Sequence, residues 1–328
     1  YAWPADVRGG RFTAAELLVD GGTFYSHFVK GLLQFGGDRL LSGQWVSQHE
    51  TRLFEMVDQE FAADEGYRWF KNQPDGVDQE NLPRAGHVMA SCPPAIGDPT
   101  NVRPGWVVFG GRRRTSLGVQ TFLNDVWLLV DKQTSQTSSI KYAWWEPGVH
   151  FVVINPELAP PSPGRYGAAG FYDPQHRRVL IYGGSADGVV PANDDLVYSL
   201  QIGTDLTTVT WTRILPAAPG GYRPTPRFGH TITYDNYGRR RFHVADPSVD
   251  YYRGMLFGGR TASHADSLSN QLWSLWVDPQ NAGNLEWRLV EPGIASEGIP
   301  QGRAFHTMVK DDFSDRMVVF GGDVAGTP

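Results

Sequence analysis

The chain has little cysteine and lysine, and it has no long apolar run. Its 328 residues include one cysteine, Cys92, which excludes an internal disulfide framework and any multi-cysteine metal site. No apolar stretch approaches the roughly 18 residues of a membrane-spanning helix. Only five of the 29 basic residues are lysine, and the formal net charge is −6. This acidic balance disfavours nucleic acid and anionic membranes as general partners.

Short catalytic and metal-binding motifs are also missing. The sequence contains no Gly-x-Ser-x-Gly, no His-Glu-x-x-His, no phosphate-binding loop and no Cys-x-x-Cys pair. Residues 311–316, "DDFSDR", lack the Asp-x-Asp-x-Asp-Gly spacing of a calcium loop. The start "YAWPADVRGG" has neither an initiator methionine nor a signal-peptide pattern, so we interpret the chain as a processed or partial product. We expect no metal and no cofactor, and the missing motifs favour binding over catalysis.

One motif is present five times, as an apolar run that ends in two glycines. The copies are "LLQFGG" at 32–37, "WVVFGG" at 106–111, "VLIYGG" at 179–184, "MLFGG" at 255–259 and "MVVFGG" at 317–322. They recur at intervals of roughly 63 to 75 residues. Regular self-similarity on this scale indicates a repeat architecture. We number the repeated units one to five by their glycine pairs.

The residues that flank the glycine pairs also follow a repeated pattern. An arginine opens an apolar run before each pair, at Arg11, Arg84, Arg165, Arg227 and Arg303. After the first four pairs come an aromatic strand, such as "NDVWLLVD", and a strand with tryptophan, such as "TWTRI". Units one to four therefore offer four short strands each, separated by glycine, proline and polar turns, with no convincing helix between them. Four strands per unit, repeated in series, predict an all-β protein built from β-propeller blades.

These features together resemble the kelch repeat over almost the whole chain. An Arg-x-x-His motif precedes the pair in three units, at Arg84/His87, Arg227/His230 and Arg303/His306. The resemblance implies a single kelch-type β-propeller domain over 1–328, with four-stranded antiparallel blades. Four blades are complete, and part of a fifth follows. The expected blades span about 11–73, 84–147, 165–214, 227–290 and, incompletely, 303–328.

The fifth blade contains only two predicted strands, and kelch propellers commonly have six or seven blades. A hairpin that stopped there would present unpaired backbone groups and an apolar edge to water. We therefore expect residues 303–328 not to end their sheet. Further sequence, the segment "YAWPADV" or a neighbouring subunit would cover the edge.

The glycine pairs have a structural interpretation. The strand before each pair is continuously apolar, as expected for a strand buried on both faces between blades. Glycine then allows a positive φ and a close approach to the neighbouring backbone, and we expect Gly184 to turn in this way against the next blade. The tryptophans would fill the space between sheets that splay apart.

Candidate binding residues lie in loops, because the strands are used for packing. In kelch-like propellers the loops after the glycine pairs share a partner-binding face with the loops between blades. Here these two sets are 38–49, 112–123, 185–192 and 260–269, and 74–83, 148–164, 215–226 and 291–302. Arg112, Arg113 and Arg114 leave the second glycine pair on this face. They could bind a carboxylate, sulfate or phosphate, or form a solvated loop balanced by acidic neighbours.

Three further sets of charged residues repeat or cluster. Arg84, Arg165, Arg227 and Arg303 are expected to ring the channel mouth, as fold elements first and ligand contacts second. The histidines of the Arg-x-x-His motifs share one repeat position, which suits a structural role better than a metal site. A second basic run, "GRRRFHVAD" at 238–246, falls between the first two strands of blade four, so we expect it on the opposite face.

We interpret the chain as a non-catalytic protein-binding or scaffolding propeller that belongs to a larger assembly. The alternative is a carbohydrate-binding or carbohydrate-processing propeller, favoured by eleven tryptophans and many arginines. A third reading is a copper radical oxidase that resembles galactose oxidase, with Cys92 and Tyr166 as the crosslinked pair. The family's Tyr-His ligand pair has no match in this sequence. The text "YDPQHRRVLIYGG" and the arginine-rich balance resemble bacterial surface or periplasmic kelch proteins.

Overall fold

The fold consists of β-strands joined by turns and loops. The computed structural model of the chain describes residues 31–48, 51–57, 66–72, 83–91, 103–131, 152–153, 161, 163–202, 208–235, 252–264, 267–291, 298–311 and 316–325. Every regular element in these ranges is a strand, and none is a helix. The same ranges accordingly hold no helix that could cross a membrane. The all-β prediction is confirmed.

Units one and two each place three described strands in an antiparallel sheet. Unit one contains β1 (Gly31–Phe35), β2 (Asp38–Leu41), β3 (Gln44–Ser47), β4 (Thr51–Val57) and β5 (Gly66–Asn72), with the sheet order β1-β4-β5 and a separate hairpin β2-β3. Unit two contains β6 (Val88–Ser91), β7 (Arg103–Arg114) and β8 (Gln120–Asp131), in that order. The expected strand at Arg11 and the expected strand at 143–147 lie outside the described residues, as do Cys92 and the run 238–246.

Units three and four form the four-stranded antiparallel sheets expected from the sequence. Unit three contains β9 (Val152–Val153), β10 (Ala169–Asp173), β11 (Arg178–Tyr182), β12 (Val197–Ile202) and β13 (Thr208–Ile214). Its order is β10-β11-β12-β13-β9, in which the short β9 adds a parallel edge that the sequence pattern did not predict. Unit four contains β14 (Thr231–Asp235), β15 (Tyr252–Phe257), β16 (Leu272–Val277) and β17 (Leu285–Val290), in that order. The glycine-ended strand is second in both sheets.

Unit five forms two short antiparallel pairs. It contains β18 (Arg303–Ala304), β19 (Thr307–Asp311), β20 (Arg316–Phe320) and β21 (Asp323–Val324); β19 pairs with β20, and β18 pairs with β21. The Phe320 side chain is 80% exposed, whereas Tyr182, which precedes the glycine pair of unit three in the same way, is 1% exposed. The apolar strand of unit five thus faces water where the equivalent strand of unit three is buried.

The glycine pairs have the positive φ angles that their sequence predicts. Gly183 and Gly184 have φ values of 69° and 96°. A Cβ atom on Gly183 would lie 2.4 Å from the carbonyl oxygen of Arg227 in unit four, and the Gly184 N–H donates to the same oxygen at 2.9 Å. A Cβ atom on Gly184 would instead lie 3.0 Å from Ala168 Cβ of its own unit. The close approach to the next unit therefore falls on Gly183, and Gly184 supplies the hydrogen bond.

Consecutive sheets pack side by side through their first strands, since β6 contacts β10, β10 contacts β14, and β14 contacts β19. Backbone hydrogen bonds join equivalent residues of successive units. Gly167 N–H donates to Gly86 at 2.7 Å, Gly229 to Gly167 at 2.7 Å, and Phe305 to Gly229 at 2.6 Å. The starts of the first strands are thus linked in series.

Buried aromatic residues fill the space between neighbouring sheets. Trp211 of unit three meets Phe109 of unit two edge to face, with ring centroids 5.0 Å apart. Trp287 of unit four meets Tyr182 of unit three in the same way at 5.1 Å. Both tryptophans are fully buried, so at these two positions the repeated tryptophan packs one unit against the preceding one.

Two aspartates at the opposite end of the sheets bond both within their own unit and to the next unit. Asp173 is fully buried and pairs with Arg178 of the adjacent strand at 2.8 Å. The Tyr252 hydroxyl of unit four donates to the same carboxylate. One unit further, Asp235 pairs with Arg253 at 2.8 Å and with Lys310 of unit five at 3.0 Å. These contacts hold the first two strands of one unit against the next.

Candidate functional site

The arginine that opens unit two is bound inside its own sheet. Arg84 is fully buried, and its guanidinium donates to both carboxylate oxygens of Asp125 at 2.9 and 2.8 Å. It also donates to the carbonyl of Gly110, the first glycine of its own unit, at 3.1 Å. The Trp127 indole donates to the same aspartate. A two-pronged pair of this kind fixes the guanidinium and neutralises its charge.

The other opening arginines repeat this arrangement with different partners. Arg165 pairs with Asp194 at 2.6 Å, and Arg303 donates to the carbonyl of Gly321 at 3.0 Å. Arg227 donates to Gly258 at 2.9 Å and to Gln271 at 3.2 Å. Burial lowers the pKa of Arg227 to about 10. All four guanidinium groups thus bond within their own units, and their expected role as secondary ligand contacts stays a prediction.

The structure separates the three arginines after the second glycine pair. Arg112 is buried, its Nη2 lies 2.6 Å from Asp38 Oδ2 of unit one, and its guanidinium carbon lies 4.2 Å from the centre of the Tyr166 ring. Arg113 and Arg114 are half-buried. Arg112 is therefore already matched by a carboxylate and an aromatic face, and a ligand role for Arg113 and Arg114 stays a prediction.

The segments expected as loops after the first two glycine pairs are largely β-hairpins. β7 continues past its glycine pair to Arg114, β8 begins at Gln120, and β2 and β3 pair in unit one. The Ser47 hydroxyl oxygen lies 2.7 Å from Asp38 Oδ1 and 3.2 Å from the Arg112 carbonyl oxygen, and it accepts the Arg114 N–H at 2.8 Å. This network fixes the unit-one hairpin against the unit-two hairpin.

The loop of unit three is held by its own side chains. Asp187 Oδ1 accepts the N–H groups of Val190 at 2.8 Å and Val189 at 2.7 Å. These hydrogen bonds lower the pKa of the Asp187 carboxyl group, with the Val190 bond as the largest cause. A Cβ atom on Gly188 would lie 3.4 Å from the Phe122 ring of unit two. The loop thus rests against the neighbouring hairpin in a defined conformation.

Three aromatic rings meet where the first strands begin. Phe305 lies 5.7 Å from Tyr166 and 5.9 Å from Phe228 between ring centres. Phe305 has a φ of 56°, at the repeat position where units two to four have glycine with a similar angle. Burial raises the pKa of the Tyr166 hydroxyl. Sequence reasoning missed this cluster, although "RAFH" departs visibly from the "RFGH" of the preceding unit.

The histidines of the Arg-x-x-His motifs are buried at the contacts between units. Burial, with the charge of Arg84 as a smaller cause, lowers the pKa of His87 to about 3. Burial likewise lowers the pKa of His306 to about 4, and the Thr231 hydroxyl oxygen lies 2.8 Å from His306 Nε2. Among the described residues no three His, Cys, Asp or Glu side chains cluster as metal ligands. Neutral, buried imidazoles fit a structural role.

Six aliphatic side chains at the tips of three neighbouring loops are exposed to water. They are Leu40, Leu41, Leu117, Val119, Val189 and Val190. They belong to the loops that follow the glycine pairs of units one, two and three. Each of the first four glycine pairs adjoins the arginine that opens the next unit, as in the bond from Gly37 to Arg84. These loops and the connections between units therefore lie at the same end of the sheets. We call this end the loop face.

Comparisons with known proteins give little support beyond these observations. No protein-family profile matches the chain, and no curated protein matches it. Among solved structures the chain is similar to the one described as "Structure of YjhT", with a TM-score of 0.46 and 14% identity over 90% of this chain and 70% of that chain. A similarity at this TM-score supports no conclusion about the fold or the function.

Proposed function

We propose that the chain forms a kelch-type β-propeller and acts as a protein-binding module without a catalytic centre of its own. The propeller proposal is supported by the serial hydrogen bonds from Gly86 to Phe305 and by first strands that pack one against the next. It is also supported by Trp211 and Trp287, which pack the sheets of units three and four on the preceding ones. A series of sheets joined in this way about a common line is the arrangement of propeller blades.

The observation that carries the binding proposal is the state of the loop face. Buried arginines, aspartates and aromatic rings there bond to one another, which engages the side chains from which a catalytic site would be assembled. Among the described residues of this face, the aliphatic tips are exposed, and Arg113 and Arg114 are half-buried. A fixed surface of mixed apolar and basic character is suited to contact with another protein.

The carbohydrate alternative rested mainly on the tryptophans. Of the tryptophans whose burial the structure describes, Trp127, Trp211, Trp273 and Trp287 are buried, and Trp45 and Trp276 are half-buried. A sugar ring cannot stack on an indole that is packed between sheets. The four buried tryptophans therefore do not support this alternative.

The binding proposal is tested by capturing partners and measuring their affinity as purified proteins. Arg113→Glu/Arg114→Glu reverses two charges on the loop face, and Gln175→Ser changes an exposed residue of the turn at the opposite end. We expect a purified partner to bind the wild type and Gln175→Ser equally in isothermal titration calorimetry. Binding to the charge-reversed protein should be at least tenfold weaker. Equal binding to all three proteins, or loss only in Gln175→Ser, would contradict the proposal.

A further inference from the structure

One serine motif is confined to the loops that follow the glycine pairs. In this chain Arg-x-x-Ser occurs only there, at Arg39/Ser42, Arg113/Ser116 and Arg260/Ser263. All three serines are exposed, and each lies in a turn or bend. A hydroxyl group three residues after a guanidinium is the arrangement that arginine-directed serine kinases recognise, because acidic residues of the kinase bind the cation. The surroundings of the three serines differ, and they favour one of them.

Ser116 lies in the turn of the unit-two hairpin. The Gly118 N–H donates to the Thr115 carbonyl at 3.0 Å, and the Thr115 N–H donates to the Val119 carbonyl at 3.0 Å. Ser116 and Leu117 are therefore the two central residues of the turn, and Gly118 follows them with a φ of 79°. Ser116 is exposed, whereas the hydroxyl oxygen of Thr115 is buried. The turn thus presents one of two consecutive hydroxyl groups to solvent.

The residues that flank Ser116 suit an arginine-directed kinase. Arg113 and Arg114 precede it by three and two residues, and Leu117, which is 88% exposed, follows it directly. Both arginines are half-buried, and Arg113 has a contact within the fold, which a kinase would have to displace. Turns at hairpin tips are among the parts of a protein that open most easily. Opening the hairpin end would release 113–117 in extended form, at the cost of the last two residue pairs between β7 and β8.

The other two serines fit less well. Ser42 has one arginine before it and a glycine after it, and its φ of 48° places it in a two-residue turn with Gly43. Ser263 follows Arg260, whose guanidinium carbon lies 5.7 Å from the centre of the Phe228 ring. The arginine of this motif is therefore packed within the fold. Ser116 alone combines two preceding arginines with an exposed apolar residue after it.

We propose that Ser116 is a phosphorylation site for an arginine-directed serine kinase that uses ATP. The Ser116 Oγ attacks the γ-phosphorus of ATP and forms the new O–P bond, while the bond from this phosphorus to the β–γ bridging oxygen breaks and ADP leaves. The Ser116 proton passes to the catalytic base of the kinase. The product adds about −1.5 to −2 charges at pH 7, two residues from Arg114 on the loop face. This modification goes beyond the proposed partner binding and does not depend on it.

The test incubates the folded wild-type protein with MgATP and the catalytic subunit of cyclic-AMP-dependent protein kinase, which is arginine-directed. Peptide mass spectrometry locates the phosphoryl group. We expect phosphorylation of Ser116, at a rate within about tenfold of that of a free peptide with residues 111–120. Ser116→Ala should lose the modification. Thr115→Ala, which removes the neighbouring hydroxyl, and Ser42→Ala, which removes an exposed hairpin serine of unit one, should keep it.

A second pair of variants tests whether the arginines direct the kinase. Arg113→Gln/Arg114→Gln should lower kcat/KM for Ser116 at least tenfold. Arg39→Gln removes the arginine of the unit-one motif and should leave this kcat/KM unchanged. Melting temperatures show whether the variants keep the fold. If the double variant melts at a lower temperature, the same two substitutions in the free peptide give the comparison.

Four results would overturn the proposal. They are phosphorylation of neither the protein nor the peptide, phosphorylation of the peptide but not of the folded protein, phosphorylation of other hydroxyl groups with Ser116 unmodified, and an unchanged rate after the two arginine substitutions. The partner-binding proposal would stand in each case, because Arg113→Glu/Arg114→Glu tests it with unmodified protein.

Discussion

Replacing Gly183 by alanine should destabilise the fold strongly, because the glycine sits where the next unit leaves no room. Its φ is 69°, and an added Cβ would lie 2.4 Å from the Arg227 carbonyl oxygen and 2.7 Å from His230 Cε1. The left-handed backbone costs an L-residue about 1–2 kcal/mol. Displacing the crowded neighbours costs about 1–3 kcal/mol more. Weakening the hydrogen bond from Gly184 to Arg227 adds about 1 kcal/mol. We therefore expect a loss of about 3–6 kcal/mol in the free energy of unfolding.

Gly221→Ala is the matched control. Its φ of 76° is close to that of Gly183, but no atom lies within 4 Å of an added Cβ. It should lose only the backbone cost of about 1–2 kcal/mol. Urea denaturation followed by tryptophan fluorescence measures both variants against the wild type. Equal losses in the two variants would refute the reasoning, because the crowding by the next unit would then contribute nothing.

Three further predictions follow from the buried and exposed groups. Asp125→Ala should cost about 3–5 kcal/mol in urea denaturation, since it leaves the buried Arg84 without its carboxylate. His87 and His306 hold pKa values of about 3 and 4 when folded, so below pH 6.5 the unfolded chain binds more protons than the folded one. Stability therefore falls with pH, by up to ~1.4 kcal/mol per pH unit for each histidine, until about pH 4 for His306 and about pH 3 for His87. Phe320→Ser should cost more than ~1 kcal/mol, because we expect a cover over β20.

Each of these predictions has a result that would count against it. Asp195→Ala removes an exposed carboxylate and should change stability by less than about 0.5 kcal/mol; an equal effect of Asp125→Ala would mean that the buried pair is not structural. A flat stability profile between pH 7 and pH 4 would show that the histidines are not buried neutral groups. If Phe320→Ser changes the free energy of unfolding by less than ~0.5 kcal/mol, β20 is exposed to water and has no cover.

The repeated strands could be predicted because their signals are local. The run "TRLFEMV" became β4, and "VLIYGG" became β11 with its two positive-φ glycines. A continuous apolar strand and a glycine pair each reflect the requirements of a few neighbouring residues. Strands one to four of units three and four were expected for the same reason. The parallel edge strand β9 has only two residues, which is too short for any periodicity to show.

The details of the loop face could not be predicted, since they depend on residues distant in sequence. Arg112 looks like an exposed cation in "GGRRRTS", but Asp38, 74 residues earlier, meets it in space. The continuation of β7 past its glycine pair depends on pairing with β8, which resumes after a register shift between Phe109 and Gly111. The aliphatic residues of the loop tips can be read from the sequence. Whether their side chains are exposed to water depends on how the three loops pack together.

Hydrogen–deuterium exchange of the wild-type protein, with and without a captured and purified protein partner, tests the central claim most directly. The claim is that this repeated β-sheet protein binds a protein partner through its loop face. Partner binding should slow exchange in 38–47, 112–123 and 185–191 and leave the turn at 174–177 unchanged. Protection at 174–177, or no protection in any of the three loops at a saturating concentration of the partner, would contradict the claim.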